Sequence, residues 1–300
     1  MFNNRVSGII GVGVDRGNFN ADFDGMPRQN QLGDFYSNDK ALKYATRVFW
    51  LNFDEKVLIF KSFKQDPKGN IVPNNLEERY TSLYGKNALK TTDKKEVLNN
   101  LFENIDVKNF GVAFPVTNNN FSITGVAQLD IGVNKMEETS VEDIQQLSPF
   151  QNKENDAQSS LGVRHIVDEA HYFYNLTVNP SNIKPYAEFG LTYEEEDYIK
   201  LKEGLMNGVN SLNTQSKIGA YNEFGLFVKF KEGSKLYLPC LAKFVSFKYD
   251  KNGKNEIDLS ALNEVLERNM DQIESVEVIY DKETTELVGL TIAADIKGLY

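Results

Sequence analysis

The sequence predicts an α+β fold with helices on one face of a largely antiparallel sheet. Three observations predict it. Strand-like and helix-like stretches are mixed without strict βα alternation. The chain opens on a stretch that is apolar and β-branched on both faces, as a central buried strand should be. At 300 residues it is long enough to bury a large core around such a strand.

That opening strand is Arg5–Val14, R-V-S-G-I-I-G-V-G-V. Gly8, Gly11 and Gly13 are unusual inside a strand and imply a close approach by a ligand or backbone, the alternative being a bulge or tight helix packing. Asp15–Asn38 follows as a loop rich in Asn, Asp, Gly and Gln, and a loop of more than ~15 residues in a compact domain is either functional or disordered. Ser37, Asn38 or Asp39 can cap a helix to about Asn52. A helical turn of ~100° per residue puts Leu42, Ala45 and Phe49 on one face and Lys40, Lys43 and Arg47 on the opposite one. Such a cationic face is either solvated or a phosphate contact.

Phe53–Lys90 is mixed and polar, with Pro-Lys-Gly and Pro-Asn-Asn turns, and reads as an insertion. Thr92–Asn104 is a helix with Val97, Leu98 and Leu101 inward, and Phe110–Phe114 and Phe121–Leu129 are strands joined by a turn at Asn118-Asn119-Asn120. Gly132–Gly162 is polar and acidic, cannot bury much, and reads as a protruding hairpin or mobile loop. Val163–Val178 is a long apolar-aromatic strand ended by Asn179-Pro180. Tyr193–Leu212 is a helix with Tyr198, Leu201, Leu205 and Leu212 on one side. Phe224–Phe230 and Tyr237–Tyr249 are strands, Asp258–Ile273 is a helix packing Leu259, Leu262, Leu266 and Ile273, and Val276–Tyr280 and Leu287–Ile292 form a closing hairpin. A ferredoxin-like or RNA-recognition-motif core with large insertions fits this order.

Composition excludes several functions. No apolar run approaches ~18 residues, so no transmembrane helix is expected. Met1-Phe2-Asn3-Asn4-Arg5 lacks the layout of a secretory signal. A single cysteine, Cys240, excludes a disulfide framework and a cysteine-type zinc site, and the expected compartment is a reducing cytoplasm. Set in Leu-Pro-Cys-Leu-Ala, Cys240 reads as a small core hydrophobe. Net charge is −10, from 33 basic and 43 acidic side chains, which disfavours nonspecific binding to nucleic acid or an anionic membrane. The charge is uneven, however: residues 1–70 carry ten Lys/Arg and eight Asp/Glu, a net of +2, leaving −12 for the remaining 230. Four of the seven arginines, Arg5, Arg16, Arg28 and Arg47, lie in that first stretch. A local basic groove on an acidic body is what an anionic strand would feel.

Catalytic patterns are weak. Gly8-x-x-Gly11-x-Gly13 lies within a strand and no Gly-Lys-Ser/Thr follows, so it is not a nucleotide cradle. His165 and His171 share a strand face but stand about 20 Å apart at ~3.3 Å per residue, too far for one metal ion. No Gly-x-Ser-x-Gly elbow occurs. Asp15, Asp22 and Asp24 are either solvated loop acids or ligands for a divalent ion that cleaves phosphodiester. Arg164-His165, after the protrusion, suits backbone phosphates, the alternative being a strand-end salt bridge.

Taken together the pieces resemble a known family. They are V-S-G-I-I-G-V-G-V (Val6–Val14) with its Asn/Asp-rich loop, K-A-L-K-Y-A-T-R-V-F-W (Lys40–Trp50), D-V-K-N-F-G (Asp106–Gly111), F-S-I-T-G-V-A-Q (Phe121–Gln128) and S-S-L-G-V-R-H-I-V-D-E-A-H-Y-F-Y (Ser159–Tyr174). In order and spacing the chain resembles the CRISPR-associated Cas seven family in its Csh-two branch, the backbone subunit of type I-B Cascade. The resemblance implies a modified RNA-recognition-motif palm of residues 1–52, 91–131, 163–180 and 223–300, with fingers at about 53–90 and 181–222 and a thumb β-hairpin at about 132–162. It implies a non-catalytic subunit without cofactor or metal. Copies would polymerise helically along CRISPR RNA, beside other Cascade subunits, and present the guide for pairing with target DNA. The alternative is a type III-like subunit that cleaves RNA with a loop aspartate and a metal. The implied phosphate contacts are Arg16, Arg28, Lys40, Lys43, Arg47 and Arg164. His165 would meet phosphate or a base, and Asn18 and Asn20 sugar or phosphate. Gly8, Gly11 and Gly13 would let the RNA approach the first strand.

Overall fold

The computed structural model describes residues 1–91, 93–116, 119–147, 161–249 and 253–300. In chain order these form β1 (Val6–Gly17), β2 (Tyr36–Ser37), α1 (Asp39–Asn52), β3 (Phe63–Gln65), β4 (Ile71–Pro73), α2 (Leu76–Tyr84), α3 (Lys94–Phe102), α4 (Ile105–Phe110), β5 (Val112–Val116), β6 (Asn119–Ile123), β7 (Ala127–Leu129) and β8 (Gly132–Asn134). There follow β9 (Val141–Leu147), β10 (Leu161–Val178), α5 (Glu195–Asn207), β11 (Ala220–Phe230), β12 (Ser246–Tyr249), β13 (Asn255–Asp258), α6 (Ser260–Glu267), β14 (Ile273–Tyr280), β15 (Thr285–Val288) and β16 (Asp295–Gly298). The fold is α+β.

The main sheet runs β16-β14-β11-β1-β10-β8-β2, with β7 and β9 also paired to β10. Its ladders are antiparallel except that between β14 and β16. β1 is buried from Val6 to Val14 because both faces of the sheet are covered. Ile10, Val12 and Val14 pack with Leu42, Trp50 and Leu201 under the helical layer of α1, α3, α4 and α5. Ile9 packs with Phe173, Phe224 and Leu226 against a second layer, made by α6, the turn at Leu241–Phe244 and the small sheet β12-β13-β15. The expectation of helices on one face only is corrected accordingly: the C-terminal segment folds back over the other face. Burying each large apolar side chain in these layers contributes ~1.5–3 kcal/mol.

The glycines of β1 are explained by the sheet itself. A Cβ on Gly13 would lie 2.3 Å from the Tyr221 ring, and one on Gly11 2.9 Å from Phe224 Cβ. The β1–β11 register shifts between Gly11 and Val12. What a Cβ on these residues would meet is the neighbouring strand β11, and the same holds for Gly8, whose Cβ would meet the Leu226 carbonyl oxygen at 2.5 Å.

Several boundaries differ from expectation. Phe110 ends α4 rather than opening a strand; Asn119 and Asn120 already belong to β6, and Asn118 lies outside the described residues. Gly132–Asn134 joins the main sheet, and within the stretch expected to protrude β9 pairs with the first part of β10; residues 148–160 lie outside the described part. α5, within the stretch expected as finger, packs against α1, with Trp50 Nε1 donating to the Lys200 carbonyl at 3.0 Å. Tyr237–Tyr249 is a strand only from Ser246. Pro239 has no N–H for a ladder, and the chain turns so that Leu241 and Ala242 bury while Cys240 is exposed, not a core residue. The closing hairpin does not form either. The Asp281 side chain accepts from Glu283 N at 2.9 Å and Thr284 Oγ1 at 2.7 Å, turning the chain into the other layer, where β15 pairs in parallel with β13.

Candidate nucleic-acid interface

The loop between β1 and α1 is ordered by side chains that satisfy its backbone. Asp22 and Asn30 build two turns of the same design. Asp22 Oδ1 accepts from the N–H groups of Asp24 and Met26, both at 2.9 Å, and Asn30 Oδ1 accepts from those of Leu32 at 2.8 Å and Asp34 at 2.9 Å. Phe19 and Phe35 anchor the loop in the core. Asn18 is buried and donates Nδ2 to the carbonyls of Gly25 at 3.0 Å and His165 at 3.2 Å, stapling one turn to β10. Asn20 Oδ1 accepts from Asn38 N at 2.8 Å, and Asn38 in turn caps α1.

Lys217, which the residue pattern did not single out, completes this arrangement. Its Nζ donates to the carbonyls of Asn18 at 2.6 Å and Phe19 at 2.7 Å. Burial pushes the ammonium down to about 8. No sequence signal marks such a lysine, because its partners are main-chain oxygens nearly 200 residues away. Replacing Lys217 with methionine is expected to remove charged hydrogen bonds worth ~1.5–3 kcal/mol each. Hydrogen exchange should therefore accelerate across residues 18–38 while β1 and β10 stay protected; unchanged exchange in the loop would disprove the tie.

Four sequence candidates lie on the segments that meet at this junction. Arg16 is exposed, in a left-handed conformation at φ 49°. Arg164 donates Nη2 to the Gln215 carbonyl at 2.6 Å. His165 Nδ1 pairs with Asp143 of β9 at 2.6 Å. Arg28 lies on the stapled loop, and the buried Nε atoms of both Arg28 and Arg164 find no hydrogen-bond partner among the described residues. These Nε atoms are shielded from solvent, so a contact with an anion would fall to the terminal Nη groups of the two guanidiniums, whose charge-assisted hydrogen bonds are strong. Asn18 and Asn20, expected to touch sugar or phosphate, are placed where their side chains hold the loop.

The cations of α1 divide. Lys40 is exposed in the first turn, against the helix dipole, which costs ~0.3–1 kcal/mol and makes an anionic partner favourable there. Lys43 pairs with Asp39 at 2.7 Å. Arg47 is turned inward, its Nε 2.9 Å from the fully buried Asp106 carboxylate and its guanidinium 5.3 Å from the Phe110 ring centre. The helical wheel grouped the three correctly in angle, but α4 packs over part of that face.

The acidic and histidine candidates are also placed. Asp22 is committed to its turn, and Asp15 and Asp24 are exposed. His171 is wholly buried, 2.9 Å from Glu223 and 3.1 Å from Glu169, with Phe247 stacked on its ring at 3.8 Å. Among the described residues no group of three His, Cys, Asp or Glu side chains could hold a metal ion, and no helix is long and apolar enough to cross a membrane.

A family model described as CRISPR-associated protein Cas7 matches residues 4–267. No curated protein matches the chain. A chain of a solved "CRISPR RNA-guided surveillance complex, pre-nicking" is similar over 99% of this chain and 96% of its own, at 14% identity and a TM-score of 0.57. A chain of a second "CRISPR RNA-guided surveillance complex" is similar over 97% of this chain and 94% of its own, at 10% identity and a TM-score of 0.50. At these identities the likeness is one of fold.

Proposed function

Because the chain belongs to the CRISPR-associated Cas7 family, we propose that it is a non-catalytic backbone subunit of a type I-B Cascade surveillance complex, binding CRISPR RNA along the guide and presenting it for pairing with target DNA. In this reading copies of the chain line up as a helical filament beside the other subunits. The palm is the main sheet with its helices, the thumb is the β9–β10 hairpin, and β3, β4 and α2 belong to the fingers. The cytoplasm is its place of action.

The observation that supports it best is that the segments carrying Arg16 on β1, Arg28 on the stapled loop, and Arg164 and His165 on β10 meet at one end of the sheet, on a chain whose net charge is −10. Arginines on segments that meet at one junction offer a phosphate backbone contacts there, while the acidic body repels it elsewhere. Phosphate contacts position a strand without reading it, which suits a guide whose sequence varies. Each copy holds few nucleotides, so affinity comes from linked occupancy along one strand.

The test is RNA binding measured against salt. Purified protein is expected to carry RNA, raising its 260/280 nm absorbance ratio, and to bind CRISPR transcript with a steep salt dependence. Changing Arg28 and Arg164 to alanine should weaken binding irrespective of sequence and flatten the log–log salt slope by about one unit per lost phosphate contact. Material free of RNA that ignores added transcript at low ionic strength would refute the reading. Regularly spaced, Mg²⁺-dependent cuts in complementary RNA, lost on changing Asp15 or Asp24 to alanine, would replace it with the cleaving alternative.

A further inference from the structure

Resting on that reading, we infer that Phe23 is a nucleobase-stacking residue, held by a rigid turn beside the cationic junction. Its side chain is fully exposed, unlike Phe19 and Phe35, which anchor the same loop. The turn that presents it is closed from three directions. Asp22 N donates to the Met26 carbonyl at 2.8 Å, Asp22 Oδ1 takes the N–H groups of Asp24 and Met26, and Gly25 supplies the left-handed residue at φ 85°. Asn18 then ties the Gly25 carbonyl to β10 at His165, so close that a Cβ on Gly25 would stand 3.9 Å from the His165 ring. The backbone entropy of ordering this tip is already spent in the free protein, which is the condition under which one side chain contributes most to binding.

The chemistry around the ring selects its partner. In sequence Phe23 is flanked by Asp22, Asp24 and Gly25, so the tip itself presents one aromatic ring between polar neighbours. A stable protein interface needs on the order of 1,000 Å² or more, whereas a base needs one flat face. The exposed Asp24 carboxylate repels phosphate from the tip itself, leaving phosphates to Arg164, Arg28 and Arg16 and the ring to a base. Stacking tolerates any base, as a variable guide requires. The twin turn at Asn30 presents Leu32, which has no π face.

The experiment uses full-length protein and single-stranded RNA. In a Phe23→Trp variant the new indole is exposed, while the native Trp50 is buried and gives a constant background. RNA is expected to quench the added emission, and Phe23→Trp to bind at least as tightly as the unsubstituted protein. Phe23→Ala is expected to weaken binding by roughly ten-fold through the loss of one base stack, with the salt slope unchanged because no phosphate contact is lost. Unaltered affinity in Phe23→Ala, or emission indifferent to RNA, would overturn the inference while leaving RNA binding standing. Loss of self-association without RNA, at unaltered RNA affinity, would assign Phe23 to a protein contact instead. An unsubstituted protein that binds no RNA would refute the functional reading and this inference with it.

Discussion

Replacing Arg47 with alanine is expected to destabilise the protein by ~3–5 kcal/mol, the cost of leaving a buried charge without its partner. Asp106 is inaccessible to solvent. Its Oδ1 accepts from Leu58 N at 2.9 Å, and its Oδ2 accepts from Ile59 N at 3.0 Å and Arg47 Nε at 2.9 Å. The carboxylate thus pins the chain leaving α1 to α4, and Arg47 balances its charge. Arg79, which donates to the carbonyls of Val57 and Leu58, is held below its ordinary value by burial, which the nearby Asp106 charge only partly offsets, and it makes no direct bond to the carboxylate. Urea unfolding should show a lowered midpoint for Arg47→Ala and a partial recovery for Arg47→Lys, which restores the charge without the planar fork. A loss below about 1 kcal/mol would show that Asp106 does not depend on Arg47. A fully stable Arg47→Ala protein with weakened RNA binding would return Arg47 to the phosphate-binding set implied by the family resemblance.

The second large effect is a loss of stability at alkaline pH, centred on His171. Burial alone would push its imidazolium down, but Glu223 and Glu169 outweigh burial and raise it from 6.5 to about 9. Glu169 is held below its ordinary value in return, by its hydrogen bond to His171 and by that from the Tyr249 hydroxyl. A cationic group raised in the folded state contributes its stability fully below the unfolded value and loses it as pH rises through the folded one. The contribution is therefore whole below about pH 6.5 and disappears through about pH 9, an effect of about 3 kcal/mol at 1.36 kcal/mol per pH unit. Denaturant midpoints measured from pH 6 to pH 10 should fall on this limb, and His171→Gln should flatten it. A flat profile for the unsubstituted protein would mean that His171 is neutral in the fold. The network joins layers, since His171 is on β10, Glu223 on β11, and Phe247 and Tyr249 on β12. Its loss should loosen the C-terminal layer first.

Much of this molecule is written in local pattern. β1 and β10 follow from unbroken apolar runs, and α1 follows from its Asn38 cap and the spacing of Leu42 and Ala45. The inward sets of α3 and α5 follow from a 3.6-residue period, and all are buried. The pairing partners are not local. The apolar alternation of Val276–Tyr280 and Leu287–Ile292 fits a hairpin as well as two strands in different layers, and only the turn at Asp281 decides between them.

The candidate interface divides in the same way. Charge, loop composition and the Arg164-His165 pair, together with the family's motifs, point to the end of the first strand as the place to look for an interface. They do not say which polar side chains are spent inside the protein. Arg47 meets an acid 59 residues away, Asn18 reaches a carbonyl 147 residues away, and Lys217 reaches one 199 residues away. Whether a cation is available to RNA depends on its neighbours and its access to water, and both are set when distant segments pack. Periodicity records which face of an element is buried; it holds no record of what that face will meet.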